Sequence, residues 1–208
     1  MVVLISGSGS NLQALIDAAA AADYPARVCA VISNRPDAAG LLRATQAGIS
    51  THIVDHGQFP DRRSFELALE KVIDRYQPGL VVLAGFMRIL TPDFVHHYLG
   101  RMLNIHPSLL PNLTGLNTHQ RALDSGAHEH GASVHFVTPD LDGGPVVIRA
   151  HVPIHSGDNA QTLTARVLTE EHRIYPEAVK WFAQGRLKLV AHQALLDGQP
   201  ITQLEKHY

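Results

Sequence analysis

Two short runs, Val2–Ile5 and Leu80–Leu83, are apolar at every position rather than at every second one. A strand with one wet face alternates, whereas a strand covered on both faces does not; this second pattern belongs to a parallel sheet wrapped by helices. The segments between them fit. Ser10–Ala22 reads as a helix rich in alanine and leucine, and Arg27–Asn34 as a second strand. Asp37 is a candidate N-cap for a helix to about Ala47, with Gly48 as its stop. Thr51–Val54, Arg62–Tyr76 and Leu80–Ala84 continue as strand, helix and strand. Strand–helix–strand repetition at this spacing implies right-handed crossovers, hence a doubly wound α/β sheet.

Beyond Gly85 the sequence predicts a short helix near Pro92–Leu99, a strand Arg101–Ile105 and a loop Pro107–Asn117. Two strands follow, Ala132–Thr138 and Pro145–Pro153, and then a long helix, Asn159–Gln184, which Pro176 should break or kink. Leu187–Val190 and Pro200–Ile201 are expected to pair as a hairpin around Asp197-Gly198. No repeat or linker interrupts the 208 residues, so one domain is expected.

Composition removes several function classes. With 45% hydrophobic and 17% charged residues, the chain is neither disordered nor a coiled coil. A net charge of −2 offers no broad basic field for nucleic acid or an anionic membrane. The lone Cys29 cannot form an internal disulfide and is assigned to the core. The apolar start is too short for a signal peptide or a membrane helix, so a soluble, cytoplasmic protein is expected.

Three segments have the residue types that chemistry needs. Ser6-Gly7-Ser8-Gly9-Ser10-Asn11 stands between the first strand and the first helix. There glycines let the backbone approach a ligand, and the helix N-terminus supplies unpaired N–H groups for a phosphate. Leu12 replaces the third glycine of a dinucleotide fingerprint, and the Gly-Lys-Ser/Thr of a triphosphate loop is missing. A tight turn with Ser10 as N-cap is the competing reading. Asn104 and His106 alternate onto one face of a strand that Pro107 should end, near the edge where α/β sheets bind ligands. An amide donor beside an imidazole suits acyl chemistry, although by itself the pair also suits a buried turn. Asp142-Gly143-Gly144-Pro145 is either an ordinary turn or a carboxylate placed to charge a histidine. The His52/His56 and His151/His155 spacings fall in strand or loop, where i,i+4 residues do not converge, so no metal site is expected.

Together these segments resemble one family closely, the glycinamide ribonucleotide formyltransferases of purine biosynthesis. The resemblance rests on Leu83–Leu90 (LAGFMRIL), Leu103–Pro111 (LNIHPSLLP), His130–Val147 (HGASVHFVTPDLDGGPVV) and Thr164–Pro176 (TARVLTEEHRIYP). It implies a Rossmann-like, mostly parallel sheet extended into a mixed sheet, with a phosphate-binding half of about 1–100 and a folate and catalytic half of about 101–208. It implies Asn104, His106 and Asp142 as the catalytic trio. Gly9, Ser10 and Asn11 would hold the ribonucleotide phosphate, with Leu168, Thr169, Glu170 and Glu171 as a further ribonucleotide region. Arg62, Met87, Arg88, Ile89 and Leu90, with Thr138, Pro139, Asp140 and Leu141, would receive the folate. The partners implied are 10-formyltetrahydrofolate as co-substrate and glycinamide ribonucleotide, without metal, for a monomer or weak homodimer. After the catalytic strand the family usually reads PKYPGLHTH, whereas this chain has Pro111-Asn112-Leu113-Thr114-Gly115-Leu116-Asn117-Thr118-His119, a segment expected to act as a lid.

Three rivals remain at this stage. A methionyl-tRNA formyltransferase would bring a C-terminal RNA-binding domain, and a formyltetrahydrofolate hydrolase an N-terminal regulatory one. A non-catalytic folate or nucleotide binder would have no need of the trio.

Overall fold

The computed structural model describes residues 1–202 in full and the backbone of Glu205–His207. The chain gathers into two compact units, Met1–Asn104 and Ile105–Tyr208. In the first, β1 (Val2–Ile5), β2 (Ala30–Ser33), β3 (Ser50–Ile53), β4 (Val81–Leu83) and the first three residues of β5 (Met102–His106) run parallel in the order β3-β2-β1-β4-β5. Every residue of β1, β2 and β4 is buried, as their unbroken apolar runs require, while the edge strand β3 is partly open. The chain steps outward from β1 to β3 and then returns to β4 on the other side of β1. Right-handed crossovers therefore put α1 (Ser10–Ala19) and α2 (Gly40–Gln46) on one face and α3 (Arg62–Asp74) on the other. The reversal opens a crevice beyond the C-terminal ends of β1 and β4, the place where such sheets bind ligands. α4 (Pro92–His97) starts on a Thr91 cap with Pro92 in its first turn, and α3 on Asp61, whose side chain accepts from the Ser64 N–H.

In the second unit, β6 (Glu129–Phe136) and β7 (Val146–Pro153) pair antiparallel, with a register shift between Val134 and His135. α6 (Ala160–Ala183) packs on both, starting from an Asn159–Thr162 capping box. β8 (Leu187–Val190), β9 (Gln193–Leu196) and β10 (Gln199–Pro200) form a small antiparallel sheet, and β11 (Glu205–His207) lies parallel to β7. Parallel strands followed by an antiparallel pair give the mostly parallel, mixed-edge α/β class expected.

Several local expectations need correction. Asp37 does not cap α2; it is exposed and holds Arg35 with two bonds of 3.0 and 2.7 Å, so the helix begins only at Gly40. β2 is shorter than expected, and Cys29 just before it is half-buried instead of packed in the core. The N-cap of α1 is Gly9, not Ser10. α5 (Thr118–Asp124) occupies a stretch with no apolar periodicity and starts from the left-handed Asn117. α6 runs through Pro176 unbroken, because buried Ile174, Tyr175, Ala178 and Val179 hold both sides of it against the sheet. β8 pairs with β9 across Ala191 and His192, both at positive φ, and Asp197-Gly198 instead turns β9 into β10. Non-glycine residues at positive φ have no strong sequence signature, so that turn was missed.

Candidate active site

The crevice of the first unit is built by backbone. Gly9 sits at φ 72°, and a Cβ there would lie 2.6 Å from the Gly40 Cα, so only glycine lets the loop after β1 rest on the start of α2. The Gly40 N–H donates to the Gly7 carbonyl at 3.0 Å and locks that contact. Residues 6–11, Ala84, Gly85 and Met87 then enclose a cavity of about 170 Å³. The N-terminus of α1 opens on it with no acidic residue in the first turn, and Arg43 Nε donates to the Ser8 carbonyl at 2.9 Å, keeping a cation beside the loop. Gly9, Ser10 and Asn11 all line this cavity, and an open helix end beside glycine backbone is an arrangement able to take an anion.

The segment after β4 borders the same cavity through Met87. Met87 and Ile89 are exposed, Leu90 is buried, and Arg88 is half-buried with its Nε lacking a partner among the described residues. The far end of the segment is fixed on α3, because the Thr91 N–H donates to Glu66 Oε1 at 2.8 Å and the Thr91 hydroxyl to Oε2. Arg62 begins α3 and is exposed. Asn104 is half-buried in β5, two residues before His106, so alternation along the strand sends both side chains the same way.

In the second unit the chemistry rests on side chains. His106, 6% exposed, ends β5; its Nδ1 is 3.5 Å from Asp142 Oδ2, and its Nε2 is 3.0 Å from the Leu113 carbonyl. A carbonyl only accepts, so Nε2 carries a hydrogen. A doubly protonated ring finds an acceptor at each nitrogen, the form from which a proton donor must start. Asp142 itself sits at φ 52° and accepts from the Gly115 N–H at 2.9 Å. Its turn depends on Gly144, where a Cβ would fall 1.8 Å from the Phe136 carbonyl oxygen. Thr138 is half-buried, with Pro139, Asp140 and Leu141 exposed along the same turn.

Other histidines crowd this pair. His135 Nε2 lies 3.9 Å from Asp142 Oδ1, and burial pushes the His135 ring down to about 4. His130 is also driven down to about 4 by burial, with His119 and His106 adding to the effect. His119 stacks edge-on against it at 5.1 Å and is lowered in the same way, first by burial and then by His106. The two rings driven down to about 4, His130 and His135, stay uncharged near neutral pH. Among the described residues, no group of three or more histidine, cysteine or acidic side chains could hold a metal; His52, for one, is bonded to the Tyr76 hydroxyl at 2.6 Å.

Segment 107–117 is tied down from several sides. Ser133 Oγ donates to the Ser108 carbonyl at 2.7 Å and accepts from the Leu110 N–H at 3.0 Å; Arg149 Nε donates to the Leu110 carbonyl at 2.9 Å. Neither Ser133 nor Arg149 was singled out from the sequence. The available signal was the two-residue spacing of Ser133 and His135 among the apolar residues Ala132, Val134 and Phe136. Leu168, Thr169, Glu170 and Glu171 all lie on α6, about 100° apart in succession. Glu170 and Glu171 are buried, Leu168 is half-buried and Thr169 is exposed, so the four cannot all face one ligand; Glu170 pairs with Arg173 at 3.2 Å.

Comparison with known proteins gives a consistent picture. A family model described as formyl transferase matches residues 1–179. The chain is 57% identical over 199 residues to a phosphoribosylglycinamide formyltransferase of Escherichia coli, covering 96% of this chain and 94% of that one. It is 46% identical over 201 residues to a phosphoribosylglycinamide formyltransferase of Haemophilus influenzae, covering 97% and 95%. Among solved structures, that of a phosphoribosylglycinamide formyltransferase from Coxiella burnetii superposes with a TM-score of 0.94 at 55% identity, covering 98% of this chain and 97% of that one.

Proposed function

The chain belongs to the formyl transferase family, and from that premise we propose that it moves the formyl group of 10-formyltetrahydrofolate to the primary amine of glycinamide ribonucleotide, in purine biosynthesis. The products are formylglycinamide ribonucleotide and tetrahydrofolate. The observation that carries this reading is the buried His106–Asp142 pair with an acceptor at both ring nitrogens.

The amine nitrogen bonds to the formyl carbon, and the carbonyl oxygen becomes an oxyanion. Asn104 donates a hydrogen bond to that oxygen, where a fixed donor is worth most as charge develops. Protonated His106 stabilises the oxyanion and gives its proton to the folate nitrogen as the carbon–nitrogen bond breaks. Asp142 balances the imidazolium and, through a water, takes the proton released by the attacking amine. No side chain bonds to the formyl group. Because the Leu113 carbonyl occupies Nε2, segment 111–117 has to shift before that nitrogen serves substrate, which gives it the role of a lid.

Gly9, Ser10 and Asn11 hold the ribonucleotide phosphate with backbone N–H groups, a distant anchor whose binding energy orients the amine. Leu168–Glu171 contribute to ribonucleotide binding through the faces of α6 that reach it. Arg62, Met87, Arg88, Ile89 and Leu90 and the turn Thr138–Asp142 receive the folate. No helix among the described residues is long and apolar enough to cross a membrane; we assign the enzyme to the cytoplasm, as a monomer or weak homodimer in a single domain. The test is a spectrophotometric assay with 10-formyltetrahydrofolate, with and without glycinamide ribonucleotide. Turnover that requires the ribonucleotide supports the reading. Deformylation without it would mean a hydrolase, and binding of both ligands without turnover a non-catalytic protein.

A further inference from the structure

Ser6 is buried just after β1 and has hydrogen-bond partners in two separate segments of the first unit, 85–87 and Asn34. Its backbone N–H donates to the Gly85 carbonyl at 3.1 Å. Its hydroxyl accepts from the Met87 N–H at 2.7 Å and donates to Asn34 Oδ1 at 2.5 Å. Asn34 is 2% exposed and fixed in turn by His56, whose Nδ1 lies 3.2 Å from Asn34 Nδ2 and 2.9 Å from the Asn34 carbonyl. With its proton committed to Asn34, the Ser6 oxygen turns a lone pair toward Met87. The residue next to Ser6, Gly7, begins the loop that forms the anion cradle, and Met87 forms part of the same cavity wall.

We infer that Ser6 is a positioning residue that couples the anion cradle to the segment 85–90, so that filling one ligand site pre-forms the other. The inference rests on the functional reading above for the identity of the two ligands. A simple packing role for Ser6 does not account for the geometry, because the hydroxyl joins two backbone segments 81 residues apart through one oxygen. Without the hydroxyl, the Met87 N–H loses its partner, and the segment is held only by the backbone bond at Gly85 and by the rear tether at Glu66.

The test compares wild type, Ser6→Ala and Ser6→Thr, all first shown to be folded by circular dichroism. A non-reactive 5,8-dideazafolate analogue is titrated with and without glycinamide ribonucleotide, and amide exchange at Met87 is followed by mass spectrometry. We expect the ribonucleotide to tighten analogue binding in wild type. In Ser6→Ala the tightening should vanish, the KM for folate should rise about fivefold to tenfold, the size of one net hydrogen bond, and Met87 should exchange faster. The threonine variant, which keeps the hydroxyl, should recover the coupling. A folded Ser6→Ala protein with wild-type coupling and folate KM would overturn the inference. So would a wild type that binds and turns over both ligands with no coupling between them. A wild type that binds neither ligand would instead bring down the functional reading itself, and with it the coupling.

Discussion

The two units build their candidate sites in opposite ways. The cradle after β1 is made of backbone: glycines close against glycine, an open helix end and a cavity that faces solvent. The pair His106 and Asp142 is made of side chains, buried, with their polar atoms engaged by a loop that has left-handed residues at Leu113, Gly115 and Asn117. A backbone cradle tolerates changes of side chain and fails when a side chain appears where none fits. A buried pair of polar side chains tolerates no loss of its own atoms. The first arrangement suits binding an anion that does not react, and the second suits moving a proton.

The largest expected effect lies in the second unit. His106→Ala should lower kcat by about 10²–10⁴-fold, the usual worth of a positioned acid, with both KM values moving only a few-fold in steady-state assays. A comparable rise in KM with kcat intact would make His106 a binding residue and dissolve the contrast.

Next comes the cradle. Gly9→Ala forces a Cβ to within 2.6 Å of Gly40 and strains a φ of 72°. The KM for ribonucleotide should rise by about tenfold or more, roughly 1.4 kcal/mol, while kcat with saturating ribonucleotide stays near wild type. Ser8→Ala should leave both constants unchanged; a large effect there would mean that side chains build the cradle after all.

Acid stability probes the buried rings. His135 stays neutral in the folded chain down to about 4, whereas unfolded it takes a proton near 6.5. Its contribution is therefore whole above pH 6.5 and is lost as pH falls toward 4, about 3 kcal/mol in all. Urea unfolding of wild type at pH 7 and pH 4.5 should differ accordingly, and His135→Asn should reduce the difference, leaving the part that His130 carries. An equal pH dependence in that variant would assign the loss to other groups.

The smallest effect concerns the loop. If segment 111–117 releases His106 when ligands bind, the Gly115 amide, held now by Asp142, should exchange several-fold faster in the presence of ribonucleotide and folate analogue. Unchanged or slower exchange would mean that the segment stays closed over the pair.

How much could be read beforehand differs between the same two regions. Val2–Ile5 and Leu80–Leu83 announced a doubly covered sheet, and the glycines after Val2–Ile5 a tight loop beside a helix end, because both are local: each depends on residues adjacent in the chain. Asn104 and His106 were legible as a pair for the same reason, through alternation along one strand, and the role proposed for them came from family resemblance. Nothing local revealed α5, whose start depends on a left-handed Asn117, or the Ala191-His192 turn, whose φ values no glycine marks. Nor could the sequence say that Asp37 would spend its carboxylate on Arg35 instead of a helix end.

By itself, then, the order of residues determined the class of sheet, the crevice at its reversal and which side chains were equipped for acyl transfer. Only the tertiary structure decided that Asp142 approaches His106 to 3.5 Å, that the Leu113 carbonyl takes the other ring nitrogen, and that Ser6 joins Met87 to Asn34. Periodicity reports what a residue shows to its own element. Contacts between elements depend on where loops of several residues return, and that is set by packing across the whole unit, where no single stretch of sequence carries the information.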